Sequence, residues 1–338
     1  MKTTLILVTI LVIGFLLYPE KVATLNELAN PFIMQVDENQ LYITDSESVL
    51  IYSLKDYKLQ KKFGKKGEGP GEFRISPTVS MGSVMLDVYP DYLIINSMGK
   101  LSFFTKQGKF IKEMRTISPL GMFKLLGNRF VGYGFSVDNK VNYMTTNIWD
   151  SKLSRVIKEL HREEQWFVPG KKMDAFGLRI GFFFVADDKI FVENKKRNIL
   201  IFDKNGKKRG SIDPAIEPVK MTKSFREGFH HYLKTTPRFK QFYPILKDML
   251  TFPGYFPGIR LYYTADKTIY ILSWRKKNGQ SECFVYDLNG KLINKTYLPL
   301  IEQNEFFQYT QTFGNGKFYQ VVESEDGEVW ELHVTGVK

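Results

Sequence analysis

From Phe32 to the C-terminal end, apolar and polar residues alternate in short runs separated by polar turns. A period of two is the pattern of a half-buried strand, because successive side chains point to opposite faces. Runs at 32–36, 40–44, 49–54 and 58–63 are separated by Asp37-Glu38-Asn39, Asp45-Ser46-Glu47 and Lys55-Asp56. The cycle restarts at 84–88, 92–96, 101–105 and 110–115. A period of about 45–50 residues is that of propeller blades. One turn recurs at the same point of the cycle, an aromatic followed by a short polar turn and Gly-Lys. Its clear copies are Phe104-Thr105-Lys106-Gln107-Gly108-Lys109, Phe202-Asp203-Lys204-Asn205-Gly206-Lys207 and Tyr286-Asp287-Leu288-Asn289-Gly290-Lys291. Tyr52-Ser53-Leu54-Lys55-Asp56 and Trp149-Asp150-Ser151-Lys152 are weaker copies. In each, Gly or Asp stands where a hairpin needs positive φ.

These marks predict blades at 31–63, 78–117, 122–160, 180–212 and 258–298, then three strands at 306–312, 317–323 and 328–334. The last blade is one strand short, and residues 22–28 are its expected fourth strand. Closing a ring with strands from both ends of the chain removes exposed sheet edges. The expected fold is all-β, a six-bladed β-propeller of four-stranded antiparallel blades.

Between Asp213 and Pro257 the spacing becomes helical. Phe225, Phe229, Tyr232 and Leu233 fall at i, i+4, i+7 and i+8, one face of a helix. Thr236-Pro237 is a second helix start, leading into Phe239, Phe242, Ile245, Leu246 and Met249, with Pro244 expected to kink or split it. A helical insertion at about 214–256, between blades four and five, is too small for its own core.

Residues 64–73, Gly64-Lys65-Lys66-Gly67-Glu68-Gly69-Pro70-Gly71-Glu72-Phe73, hold four glycines and a proline. A phosphate-binding loop would place Lys-Ser/Thr after its last glycine and open a helix; Glu72-Phe73 follow instead, without a helical pattern. The segment reads as a connector between two blades.

The 338 residues carry a formal charge of +12 and one cysteine, Cys283. That excludes an intramolecular disulfide and a Cys-cluster metal site. Met1-Lys2-Thr3-Thr4 and the apolar run 5–18 have the layout of an export signal. The run is shorter than the roughly 20 residues of a membrane span, and no clean small-x-small cleavage site follows it. Residues 1–21 are therefore read as a signal peptide or signal anchor, and 22–338 as the propeller. The expected location is the periplasm or cell surface, with retention in the inner membrane through residues 3–18 as the alternative.

The connector at 64–73 resembles the linker signature of exported six-bladed β-propeller proteins related to the NHL-repeat family. Residues 41–54 and 201–210 match that family's repeat rhythm, and the insertion ending in Tyr255-Phe256-Pro257 is similar to one in those proteins. The resemblance covers essentially all the chain after residue 25. It implies the fold and leaves the activity open, since the fold hosts binding modules, lyases and hydrolases alike.

The four histidines, His161, His230, His231 and His333, do not converge from different blades as a metal-dependent propeller lyase requires. No Gly-x-Ser-x-Gly occurs, and Cys283 sits in an apolar strand. No catalytic set, metal or cofactor is therefore expected. The loops joining strands two and three, and those joining successive blades, open on the same propeller face. The connector brings Lys65 and Lys66 there, blade four Lys195, Lys196 and Arg197, and blade five Arg275, Lys276 and Lys277. The matching loops of blades one and six, Asp45-Ser46-Glu47 and Glu323-Ser324-Glu325-Asp326, are acidic. The basic arc and the helical lid are the expected binding surface for an anionic protein patch, glycan or lipid headgroup. Nucleic acid fits the charge, but an exported chain rarely meets it. The function expected is a monomeric, non-enzymatic binding or scaffold module. The rival is a lyase or hydrolase acting at the channel mouth under the lid.

Overall fold

The computed structural model describes residues 19–75, 84–116, 122–164, 171–178, 183–302 and 310–337. It contains six sheets of four antiparallel strands, five with their strands in chain order and the sixth closed by the N-terminal strand, arranged as a six-bladed propeller. Blades one to five span residues 31–63, 84–115, 123–164, 183–212 and 259–298. Blade six is built from Gln311–Gly314, Lys317–Glu323 and Trp330–Gly336, and its outer edge is Glu20–Thr24. The borrowed strand starts two residues before the expected 22–28 and ends before Leu25. Leu25 and Leu28 instead turn inward and are buried in the seam between blades six and one.

Six apolar clusters fill the six seams between neighbouring blades. In blade two, Leu93, Ile95 and Phe104 pack toward blade one, whereas Ile94 and Phe103 pack toward blade three. Strands two and three are thus buried on both faces, which explains their nearly unbroken apolar text. The outer strands remain half solvated and alternate.

The repeated Gly-Lys turn joins strands three and four, and its chemistry repeats too. Asp203 accepts from the Asn205 and Lys207 amides at 2.9 Å, and Asp287 from those of Asn289 and Lys291 at 2.8 Å. These bonds stabilise the ionised carboxyls, so both titrate below the ordinary value. The turn glycine then tucks against the preceding blade. A Cβ on Gly206 (φ 71°) would lie 2.7 Å from Leu160 Cδ2, and one on Gly108 (φ 75°) 2.5 Å from the Phe63 ring. The turn therefore sets both the hairpin and the blade-to-blade distance.

The glycine-rich connector is wedged between blades one and two by Phe73, which is fully buried against Phe63 and Phe104. A Cβ on Gly64 (φ 84°) would strike that ring at 2.1 Å. The Phe73 amide donates to Lys65 O at 2.7 Å, and buried Lys100 donates to Gly69 O at 2.8 Å. The next described element is the strand Val84–Val88, which opens blade two.

The long interval between blades four and five folds as α1 (Lys223–Thr235), α2 (Pro237–Lys240) and α3 (Tyr243–Leu246). Thr222 caps α1 by accepting from the Phe225 amide, and Phe225, Phe229 and Leu233 face inward. The second predicted helix splits before Pro244, at Gln241-Phe242, and Phe242 and Ile245 point outward, 45% and 59% exposed. The lid shares a small core with the blade three-to-four connector, where Met173–Asp174 pairs in parallel with Leu250–Thr251.

Candidate functional site

Every innermost strand enters the ring from the lid-bearing face and leaves at the turn joining strands one and two. The axial channel therefore has a lid end and a turn end, and their side chains differ.

At the lid end, Arg260 is the second residue of blade five's innermost strand, Ile259–Ala265, and is 3% exposed. Its guanidinium pairs with Glu302 and lies 4.6 Å from the Trp274 ring centroid. Trp274 stacks on Phe256 at 4.3 Å, and Phe225 from α1 meets both rings edge-on. Burial alone raises the Glu302 carboxyl, but Arg260 and Lys276 outweigh it and hold the group below the ordinary value. A second ionic knot lies in the same blade. Fully buried Glu282 accepts from Ser273 Oγ at 2.8 Å and pairs with Lys295 at 2.8 Å. A buried charge needs such partners, since desolvation would otherwise neutralise it. Glu193, nearly buried at the end of a blade four strand, pairs with Arg197 through one oxygen, and its other oxygen has no hydrogen-bond partner among the described residues.

At the turn end lies a cavity of about 630 Å³, bounded by the innermost strands. Its walls run from Asp37, Asp187 and Asp266 at the turns inward to Met122, Phe183 and Gln311. Polar groups along the walls staple neighbouring blades. Gln35 donates to Leu86 O at 3.0 Å and accepts from the Val88 amide at 2.9 Å, while Gln311 donates to the Tyr263 hydroxyl at 2.8 Å. Asp87 pairs with Lys124 across the next seam. Cavities of this size are typical of small-ligand sites.

The eight basic residues of the expected arc divide into two groups. Lys65 pairs with Glu72 at 3.1 Å, Arg197 with Glu193 at 2.8 Å, Arg275 with Glu217 at 2.8 Å and Lys276 with Glu302 at 2.7 Å. Arg197 also donates to Phe176 O at 3.0 Å, pinning the three-to-four connector. Lys66, Lys195, Lys196 and Lys277 form no ion pair among the described residues, although Lys277 lies 5.8 Å from the Tyr297 ring centroid. Lys195 and Lys196 are in a strand-two-to-three turn as expected. Arg275, Lys276 and Lys277 instead finish a strand, Thr268–Lys277, with only Asn278-Gly279 turning. Nor is the acidic side uniformly free, since Asp45 is 2% exposed and accepts from the Ala29 amide at 3.1 Å and from that of Asn30.

His161 and His333 sit on strands beside Glu163 and Glu331, and His230 packs against Phe252 within the lid. Among the described residues no three His, Cys, Asp or Glu side chains are grouped to hold a metal ion. Burial pushes the Cys283 thiol up to about 12, so it stays protonated in its strand. The cavity was missed from sequence; its signal is the acidic residues Asp37, Glu38, Asp187 and Asp266 in strand-one-to-two turns.

No family model matches the chain, and no curated protein matches it significantly. Solved structures that resemble it include the computationally designed Ika8 protein, at 8% identity and TM-score 0.41, covering 94% of this chain and 99% of that one. BamB from Moraxella catarrhalis shares 11% identity at TM-score 0.32, covering 90% and 71%. BBS1N in complex with ARL6DN shares 12% identity at TM-score 0.39, covering 94% and 79%. The propeller assignment rests on the six sheets of this chain, and these likenesses carry nothing about ligand or activity.

Proposed function

We propose that this propeller is a non-enzymatic binding module that takes its ligand into the axial channel from the turn end. The 630 Å³ cavity carries the reading: its inner wall is largely apolar and aromatic, Gln35, Asp87 and Gln311 hold neighbouring blades together, and acidic side chains stand at its mouth, an arrangement suited to receiving a ligand. The glycine-rich connector and the export-like leader support placing the chain among exported propellers related to the NHL-repeat family. Among the described residues no helix is long and apolar enough to cross a membrane, and residues 1–18 lie outside them. The test is a small-molecule screen by NMR using the methyl signals of Met85 and Met122, both of which line the cavity. Binders should shift both signals and be lost in Met85→Trp. Binders that leave both methyls unmoved would place the site elsewhere.

A second reading keeps the lid-bearing face as a docking surface for an anionic partner. What favours it is that Lys66, Lys195, Lys196 and Lys277 have no carboxylate partner among the described residues, so their charge is available. Reversing Lys66, Lys195 and Lys196 to Glu should lower the salt concentration that elutes the protein from heparin. Unchanged elution removes this reading.

A further inference from the structure

We infer that the channel's ligand is an amphiphilic organic cation, an apolar body carrying an ammonium or guanidinium group; this rests on the channel being the binding site. The turn end already holds two ammonium groups of the protein itself. Lys106 Nζ pairs with Asp37, donates to Tyr89 O at 2.9 Å and lies 5.5 Å from the Tyr42 ring centroid. Lys124 Nζ pairs with Asp87 and lies 5.5 Å from the Phe184 ring centroid. In both, a carboxylate and an aromatic face share one cation, the combination that holds ammonium groups where water is scarce.

Once those two pairs are set aside, the lining keeps Glu38, Asp187 and Asp266 against a single cation, Lys267. Glu38 and Asp187 have no ion pair among the described residues, and the Asp266 carboxylate accepts from the Gly316 amide at 2.9 Å. Turn geometry accounts for part of this. Asp187 and Asp266 sit at φ 49° and 51°, in the left-handed region that Asp tolerates. Glutamate has no such preference, yet Glu38 holds φ 46°, with its carbonyl accepting from Asn315 Nδ2 at 2.7 Å. Tyr262, Tyr263 and Phe313 line the wall further in, offering rings and apolar surface to the body of the ligand. A negative mouth over an aromatic wall selects for charge at the entrance and for apolar bulk inside.

Three probes with one tail, octyltrimethylammonium, octanol and octanoate, separate these terms when titrated into the full chain by calorimetry. The cation should bind about 10-fold more tightly than the other two, a difference of about 1.4 kcal/mol. Glu38→Gln with Asp187→Asn should cancel that preference and leave octanol unchanged. Met85→Trp should remove binding of all three. Equal binding of the probes, with Met85 and Met122 methyl shifts for each, overturns the cation assignment and leaves the channel reading standing. Binding that leaves those methyls unmoved, or no binding of any probe, overturns the inference. The methyl signals are read on the native chain, so the result holds even if Met85→Trp fails to fold.

Discussion

The two ends of the axial channel are made by the same six innermost strands, and they have opposite characters. At the lid end, Arg260 pairs with Glu302 and lies over Trp274, which stacks on Phe256, with α1 pressed over them. At the turn end, charged groups stand around open space. The difference comes from the connections. A two-residue hairpin cannot fold over the axis, whereas the interval from 213 to 258 is long enough to bring helices across it. Position in the blade cycle thus assigns one end to packing and the other to access.

The largest effect is expected where the lid is fastened. Trp274→Ala removes the stack on Phe256, the edge contacts of Phe225 and the ring under Arg260, and should cost about 3–5 kcal/mol in denaturant unfolding. Amide exchange should quicken first in α1. If α1 keeps its protection, the lid is held by the core it shares with Met173 and Leu250 instead. Next in size is Glu302→Gln, which leaves Arg260 buried without its carboxylate and should cost about 3 kcal/mol. The same residue gives the lid end a pH dependence. Its folded-state carboxyl titrates below the ordinary 4.5, so its contribution is complete above that value and is lost as pH falls through the lower, folded-state value. The wild-type chain should therefore lose stability more steeply than Glu302→Gln on acidification below about pH 4.5. Parallel curves would show the pair contributes nothing net.

At the turn end the expected changes are smaller. Lys106→Met leaves Asp37 beside the cavity without its cation and should cost about 1 kcal/mol by denaturation, because the carboxylate can still reach water. It should also strengthen capture of octyltrimethylammonium. Smallest of all is Glu38→Gly, which relieves a left-handed glutamate and should raise stability by under about 1 kcal/mol while weakening cation binding. A gain in one and a loss in the other would mark Glu38 as a residue kept for function rather than for the turn.

The ring could be read from the chain because its determinants are local. Alternating runs, the Asp203 and Asp287 turns and Gly206 each state their own geometry, and blade edges at 31–63 and 259–298 follow within a residue. The missing fourth strand was legible for a different reason: a three-stranded last blade demands one. Charge pairing was not legible. Lys276 meets Glu302 and Arg275 meets Glu217 only after the five-to-six and four-to-five connectors fold back over blade five. The same holds for Phe242 and Ile245, whose helical spacing looks buried until α2 and α3 separate and turn them outward. Properties that depend on which distant segments meet escape a reading of runs and turns.

The closing strand has one more consequence. Glu20–Thr24 runs antiparallel to Trp330–Gly336 and delivers the chain to the lid face at Leu25, so Glu20 and Gly336 both lie on the turn side of the ring. The described chain thus enters and leaves the propeller on the cavity side of the ring, at the outer part of blade six. Holding the propeller by its C-terminal strand would turn the cavity entrance toward the support and present the lid to solution. Ligand measurements are therefore best made with the protein free in solution.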